Sequence, residues 1–270
     1  MAILVKKQKD MSKFTLIAGP CAIEDLDTSY LIAEKVKQIC NVLDIQFIFK
    51  GSYRKANRSR LDSFTGINEE NALKILQEIG KEFQIETITD VHESYEPDKI
   101  AEFVDHLQIP AFLCRQTDLL LAAGKTGLGV NIKKGQFMSP DSMKFALEKV
   151  QSTGNKNIWL CERGNSFGYN DLIVDATSIH QMKKHGAPVI MDCTHAVQKP
   201  NQTSGVTGGD PSLIEAIALS AAATGADGLF IETHPNPASA KSDPFTMLKL
   251  DHLERILTKV IKVRSAIKNL

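Results

Sequence analysis

The chain has 270 residues, 43% of them hydrophobic, with 32 Lys and Arg against 32 Asp and Glu. A formal net charge of zero gives no bulk electrostatic pull toward nucleic acid or an anionic membrane surface, and no apolar run approaches the roughly 20 residues that span a bilayer. The opening MAILVKKQKD reaches its lysines too early for the apolar region of a secretory signal. A cytoplasmic protein is therefore expected, with Cys21, Cys40, Cys114, Cys161 and Cys193 as free thiols and not as disulfides.

Short apolar, β-branched runs closed by turn residues read as buried strands, and longer amphipathic stretches between them read as helices. FTLIAGP at 14–20 opens the series, followed with helical spacing by SYLIAEKVKQICNVL. IQFIFKG at 45–51 and NALKILQEIGKEF make the second unit, and IETITDV at 85–91 the third strand. LQIPAFL at 107–113 and GVNIKKG at 129–135 read as strands four and five, with DSMKFALEKVQSTG helical after them. NIWLCERG at 157–164, PVIMDCTH at 188–195 and GLFIETHP at 228–235 complete eight strands, with SLIEAIALSAAATGA and the closing KLDHLERILTKVIKVRSAIKNL as helices. Eight alternations predict one (β/α)8 barrel domain over residues 1–270, a doubly wound open sheet being the structural alternative. KPNQTSGVTGGDP at 199–211 reads as a long βα loop within that domain.

Each apolar run ends at or beside a residue that can bind a metal, move a proton or hold an anion: Cys21, Lys50, Asp90, Arg115, Lys133, Arg163, His195 and Glu232. In a barrel these ends converge on one mouth, where such folds place their chemistry. Polar residues marking the exit from the core would explain one or two of them, not the whole set. Cys21, His195, Glu232 and Asp243 offer a thiolate, an imidazole and two carboxylates, a set that suits a divalent transition metal. Their spacing matches no zinc-finger pattern, and Cys21 as a nucleophile with His195 as its base is the other reading. Two nearby carboxylates would work against that thiolate.

Cys193, Cys114 and Cys161 read as core facing the helices, and His92 and His234 as rim residues or indirect contacts. Lys50, Arg115, Lys133 and Arg163 would crowd four cations into the mouth, which calls for phosphate or carboxylate ligands. KANRSR at 55–60 places Lys55, Arg58 and Ser59 in a second phosphate cradle or, equally, in an exposed basic loop. Gly124-Lys125-Thr126 looks like the end of a P-loop, but Leu119 stands where the earlier glycine is needed, so it reads as a helix end.

IAGPCAIE, KANRS, TDVHE, QIPAFLCRQTDLL, NIKKGQF, ERGNSFGYN, DCTHAVQ and IETHPNPASAKSDP occur in this order along nearly the whole chain. Together they resemble the 3-deoxy-D-manno-octulosonate 8-phosphate synthases, enzymes of lipopolysaccharide precursor synthesis. The resemblance implies condensation of phosphoenolpyruvate with D-arabinose 5-phosphate and release of phosphate. The related heptulosonate synthases, which use erythrose 4-phosphate, typically carry Lys-Pro-Arg-Thr-Ser where this chain has Lys55-Ala56-Asn57-Arg58-Ser59.

Family members with cysteine after the first Gly-Pro depend on a metal, so the resemblance makes Cys21, His195, Glu232 and Asp243 ligands of a divalent ion such as Zn, Fe(II) or Mn. It implies that Lys133, Arg163 and Arg115, with Gln116 nearby, hold phosphoenolpyruvate. Lys55, Asn57, Arg58, Ser59 and Asp90 would hold the sugar phosphate, and Lys50, Lys55, Asp90, Lys133 and His195 would serve the chemistry. It also implies a homotetramer in which an interface completes part of the sugar-phosphate site. The chain departs from the family pattern at Arg60, Thr65, Lys199-Pro200-Asn201 and Pro244.

Overall fold

Residues 13–268 are described by a computed structural model, apart from 59, 201 and 204–206. Strands β1 (Thr15–Gly19), β2 (Gln46–Lys50), β3 (Glu86–Asp90) and β4 (His106–Ile109) pair in parallel in chain order. The series continues through β5 (Gly129–Lys133), β6 (Ile158–Glu162), β7 (Val189–Asp192) and β8 (Gly228–His234). β8 then returns to β1, with Thr15 opposite Gly228 and Gly19 opposite Glu232, and closes the sheet. Helices follow the strands one by one: α1 (Leu26–Val42), α2 (Glu69–Phe83), α3 (Glu96–Ile100) and α4 (Thr117–Lys125). The second half carries α5 (Met143–Gln151), α6 (Thr177–Lys183), α7 (Ile214–Ala223) and α8 (Leu253–Lys268). Among the described residues this is the expected (β/α)8 barrel.

Alternation along the strands sorts the side chains. Leu16, Ala18, Phe47, Phe49, Leu107, Ile109, Val130 and Ile132 face outward and join the apolar faces of the helices. Ile17, Ile48, Ile88, Trp159, Cys161, Ile190 and Phe230 form a separate apolar plug inside the barrel. Cys114 and Cys193 lie in the helix-facing core as expected, but Cys161 does not. It shares its strand face with Trp159, two residues earlier, and so points into the barrel.

The fourth strand is shorter than its apolar run. Pro110 has no N–H to continue the ladder, so the strand stops at Ile109 and a single 3-10 turn, Ala111–Leu113, leads toward α4. Arg115 therefore does not stand at a strand end. Gly124-Lys125-Thr126 is the last turn and C-cap of α4, as expected. Three features have no counterpart in the sequence reading: an antiparallel hairpin after β6, pairing Asn165–Phe167 with Asp171–Ile173, a small pairing of Gln198–Lys199 with Gly208–Gly209 inside the long loop after β7, and a two-residue strand, Leu248–Lys249, that pairs in parallel with the end of β8.

Gly19 ends β1 where the backbones come closest, since a Cβ there would lie 1.9 Å from the Lys50 carbonyl oxygen. Gly19→Ala should force β1 and β2 apart at the mouth and cost about 2–3 kcal/mol, read as a fall of several degrees in Tm; an unchanged Tm would contradict this close approach.

Candidate active site

The inward positions change character at Phe230. The layer around it is apolar, and on the mouth side Lys133 Nζ sits 3.7 Å and Lys50 Nζ 5.6 Å from its ring centroid. Both ammonium groups are buried, so each needs a partner. Lys50 Nζ donates to Glu232 Oε1 and to the Cys21 carbonyl, both at 2.7 Å, with Asp90 Oδ2 at 3.7 Å. Lys133 Nζ pairs with Asp192 Oδ2 at 2.7 Å. Burial works against the Asp90 and Asp192 carboxylates, but the Lys50 and Lys133 charges hold Asp90, and the His195 and Lys133 contacts hold Asp192, well below the usual range.

Asp192 Oδ2 also lies 2.8 Å from His195 Nδ1. An ionised carboxylate only accepts, so Nδ1 carries the imidazole proton in this contact. The other ring nitrogen, Nε2, points toward Glu232 Oε2 at 3.6 Å. That oxygen is buried and has no hydrogen-bond partner among the described residues. Cys21 Sγ, a carboxylate oxygen of Glu232 and one of Asp243 all lie within 4.8 Å of one another. Cys21 Sγ is 3.3 Å from both Ser242 Oγ and Asp243 Oδ2, and Lys55 Nζ is 3.0 Å from both Cys21 Sγ and Asp243 Oδ2. Asp243 holds a left-handed backbone, φ 45°, immediately before Pro244, a conformation uncommon outside glycine. Burial, and then Glu232, push the Cys21 thiol well above its ordinary range, which disfavours a nucleophilic role. Cys21, Glu232 and Asp243 together could hold a divalent ion; the expected fourth ligand, His195, stands outside that group, its Nε2 3.6 Å from Glu232 Oε2.

Arg163, buried one residue past β6, faces the same cavity, of about 330 Å³. Its Nη2 donates to Gln198 Oε1 at 2.7 Å, while its buried Nη1 has no partner among the described residues. Asp90 accepts from Ser52 Oγ at 2.5 Å and Gln108 Nε2 at 2.7 Å, and Gln108 in turn accepts from Asn131 at 2.9 Å. The structure thus brings together Lys50, Lys55, Asp90, Lys133, Arg163, His195 and Glu232, with Asn57 at the exposed edge of the cavity.

Other expected positions fall elsewhere. Arg58 is half-buried beside the cavity and donates to the Lys55 carbonyl at 2.6 Å. Ser59 lies outside the described residues. Arg115 and Gln116 are exposed ahead of α4 and do not line this cavity. Arg60 is turned away, forked onto Asp62 at 2.6–2.8 Å.

Asp192 is the main residue that sequence reasoning missed. Its signal was present in DCTH, an acid on the inward strand face three residues before the histidine. Glu96 was missed as well. Its carboxylate ties the Arg54 guanidinium to the His92 backbone N–H, the latter at 2.7 Å, and so links the loop after β2 to the loop after β3.

A closed parallel barrel that gathers buried lysines, an arginine with an unspent donor and a thiol–carboxylate group at its mouth is built as an enzyme for a small anionic substrate. The chain belongs to the DAHP synthetase I family, whose model matches residues 5–269. It is 48% identical over 256 residues to the 2-dehydro-3-deoxyphosphooctonate aldolase of Fusobacterium nucleatum, covering 95% of this chain and 92% of that protein. The proteins of the same name from Bartonella henselae (48%, 92% of this chain and 89% of that one) and Cyanothece sp. (46%, 96% and 94%) are similar to it over comparable lengths.

Burial opposes ionisation of Glu96, but its contacts to His92 and Arg54 pull it down to about 2. A lowered pKa stabilises the fold above the ordinary glutamate range, near 4.5, and that contribution is lost as pH falls toward 2. Glu96→Gln should therefore cost up to about 3 kcal/mol at neutral pH, and the gap in Tm to the unsubstituted chain should close as the pH drops below about 5. A gap independent of pH would contradict this.

Proposed function

We propose that this chain condenses phosphoenolpyruvate with D-arabinose 5-phosphate and water, giving 3-deoxy-D-manno-octulosonate 8-phosphate and inorganic phosphate, a carbon–carbon-bond-forming transfer in lipopolysaccharide precursor synthesis. The observation that carries the reading is the convergence of Lys133, at the end of β5, and Arg163, just past the adjacent β6, on one cavity, with Arg163 Nη1 unpaired among the described residues. The name shared by relatives at 46–48% identity over nearly the whole chain supports it.

In this reading Lys133 and Arg163 hold the phosphate and carboxylate of phosphoenolpyruvate, as charge-assisted contacts favour. Lys55, Asn57, Arg58 and Ser59 hold the sugar phosphate, and Asp90 accepts from a sugar hydroxyl. The enol C3 attacks the aldehyde carbon while water adds at C2, where oxocarbenium character develops. The Lys55 ammonium, 3.0 Å from both Cys21 Sγ and Asp243 Oδ2, would steady the negative charge growing on the aldehyde oxygen. Cys21, His195, Glu232 and Asp243 would hold a divalent metal, which supplies Lewis-acid polarisation when bound. Asp192 keeps the proton on His195 Nδ1 and leaves Nε2 as the donor atom. Holding two anionic reactants in one cavity is mainly a positioning effect. Arg115 and Gln116 lie outside this cavity in the single chain.

Phosphate release from phosphoenolpyruvate should require arabinose 5-phosphate and fail with erythrose 4-phosphate; the reverse preference would make the chain a sibling synthase. Chelation should abolish release and a divalent metal restore it, whereas full activity in metal-free protein would keep the reaction and remove the ligand role of Cys21. Arg163→Ala should raise KM for phosphoenolpyruvate by about tenfold to a hundredfold, with KM for the sugar phosphate little changed. An unchanged phosphoenolpyruvate KM would overturn the assignment of the anion site.

A further inference from the structure

Directly behind Lys133 and Arg163, on the outer face of the barrel, a second pair of charges is sealed between strands and helices. Lys134 and Glu162 are each 0% exposed, and neither touches the cavity. Lys134 Nζ lies 3.3 Å from Glu162 Oε1 and donates to Asn165 Oδ1 at 2.6 Å, with the Gly164 and Met138 carbonyls at 3.3 and 3.4 Å. Glu162 Oε1 accepts the backbone N–H groups of Arg163 at 3.0 Å and Gly164 at 2.7 Å, and Oε2 accepts Ser178 Oγ from α6 at 2.6 Å.

The place of this network in the chain is its argument. A buried ion pair is seldom more stabilising than well-packed apolar residues of the same volume, so packing alone would be served by leucine or methionine at these two positions. Apolar residues could not, however, accept two successive backbone N–H groups where the strand breaks. Gly164 takes a left-handed turn, φ 84°, immediately after Arg163, and a carboxylate holding both N–H groups fixes that turn. Lys134 joins the same carboxylate to the 135–138 segment after β5 and to the base of the hairpin at Asn165. The backbone on either side of the two cavity-facing cations is thereby tied into one unit.

We propose that the buried Lys134–Glu162 pair is a positioning device for the anion site, fixing the ends of β5 and β6 so that Lys133 and Arg163 both face the cavity. It rests on the reading of Lys133 and Arg163 as the phosphoenolpyruvate clamp. The acceptor on the Arg163–Gly164 turn is the working part, and the lysine neutralises it.

Two charge-free double variants separate these roles. Lys134→Met with Glu162→Leu removes the acceptor, and Lys134→Met with Glu162→Gln keeps an amide oxygen in its place. The leucine variant leaves the Arg163 and Gly164 N–H groups without an acceptor, so it should melt below the glutamine variant and raise KM for phosphoenolpyruvate by about tenfold, the loss of one to two hydrogen bonds, with the arabinose 5-phosphate KM unmoved. The glutamine variant should recover most of that affinity. Equal phosphoenolpyruvate KM values in the two variants, or a parallel rise for both substrates, would overturn the proposal. If the leucine variant does not fold, Ser178→Ala frees one carboxylate oxygen, and a rise of about twofold to threefold in the phosphoenolpyruvate KM alone is expected; no change would again overturn it. Arg163→Ala tests the clamp itself, so an effect there without one in the double variants isolates failure of the positioning role.

Discussion

Two lysine side chains reach inside the barrel, over the ring of Phe230, and the mouth is organised around giving each a carboxylate partner. Burial favours the neutral amine. The Glu232 and Asp90 carboxylates reverse that preference at Lys50, and Asp192 Oδ2 stands 2.7 Å from Lys133 Nζ. Once these carboxylates are inside, they fix what surrounds them. Asp192 orients His195, Glu232 presents an unshared oxygen toward the imidazole and the thiol, and Asp90 draws in Ser52 and Gln108. The lysines that face the cavity are already paired with carboxylates of the protein. Arg163, with one guanidinium nitrogen unpaired among the described residues, is the cation with a donor to spare for an arriving anion.

The same wiring holds the Cys21 thiol far from ionisation, which tells against a nucleophilic role. Cys21 sits among Glu232, Asp243 and Lys55, buried and far from easy ionisation. A nucleophile needs its thiolate in the resting enzyme, whereas a ligand loses its proton as a cation arrives. Asp243, in a left-handed backbone before Pro244, is held in a conformation that costs energy, as residues at functional sites often are.

Much of this could be read from the sequence because a barrel converts strand position into place. An inward residue near the end of an apolar run lies at the mouth, and this located Lys50, Asp90, Lys133, Arg163, His195 and Glu232 without any knowledge of contacts. The reading failed where the end of the run was not the end of the strand, as at Pro110, which leaves Arg115 outside the cavity. It failed for Cys161, whose polarity does not reveal which face it takes; only its register with Trp159 does. Asp192 carried a signal in DCTH that was passed over, and Glu96 and the partners of both acids were missed for a different reason. Their roles are distances to side chains far away in sequence or across a turn, and no local pattern encodes those. The hairpin at 165–173 and the pairing at 198–209 likewise depend on what the loops pack against.

The most direct test is a crystal structure of the protein with phosphoenolpyruvate alone. The phosphate and carboxylate should sit between Lys133 and Arg163, with Arg163 Nη1 donating to the ligand and the enol carbon facing the space beside Lys55. A ligand seated on the loop at 55–58, with Arg163 Nη1 still unpaired, would contradict the role of the buried cations as the anion clamp.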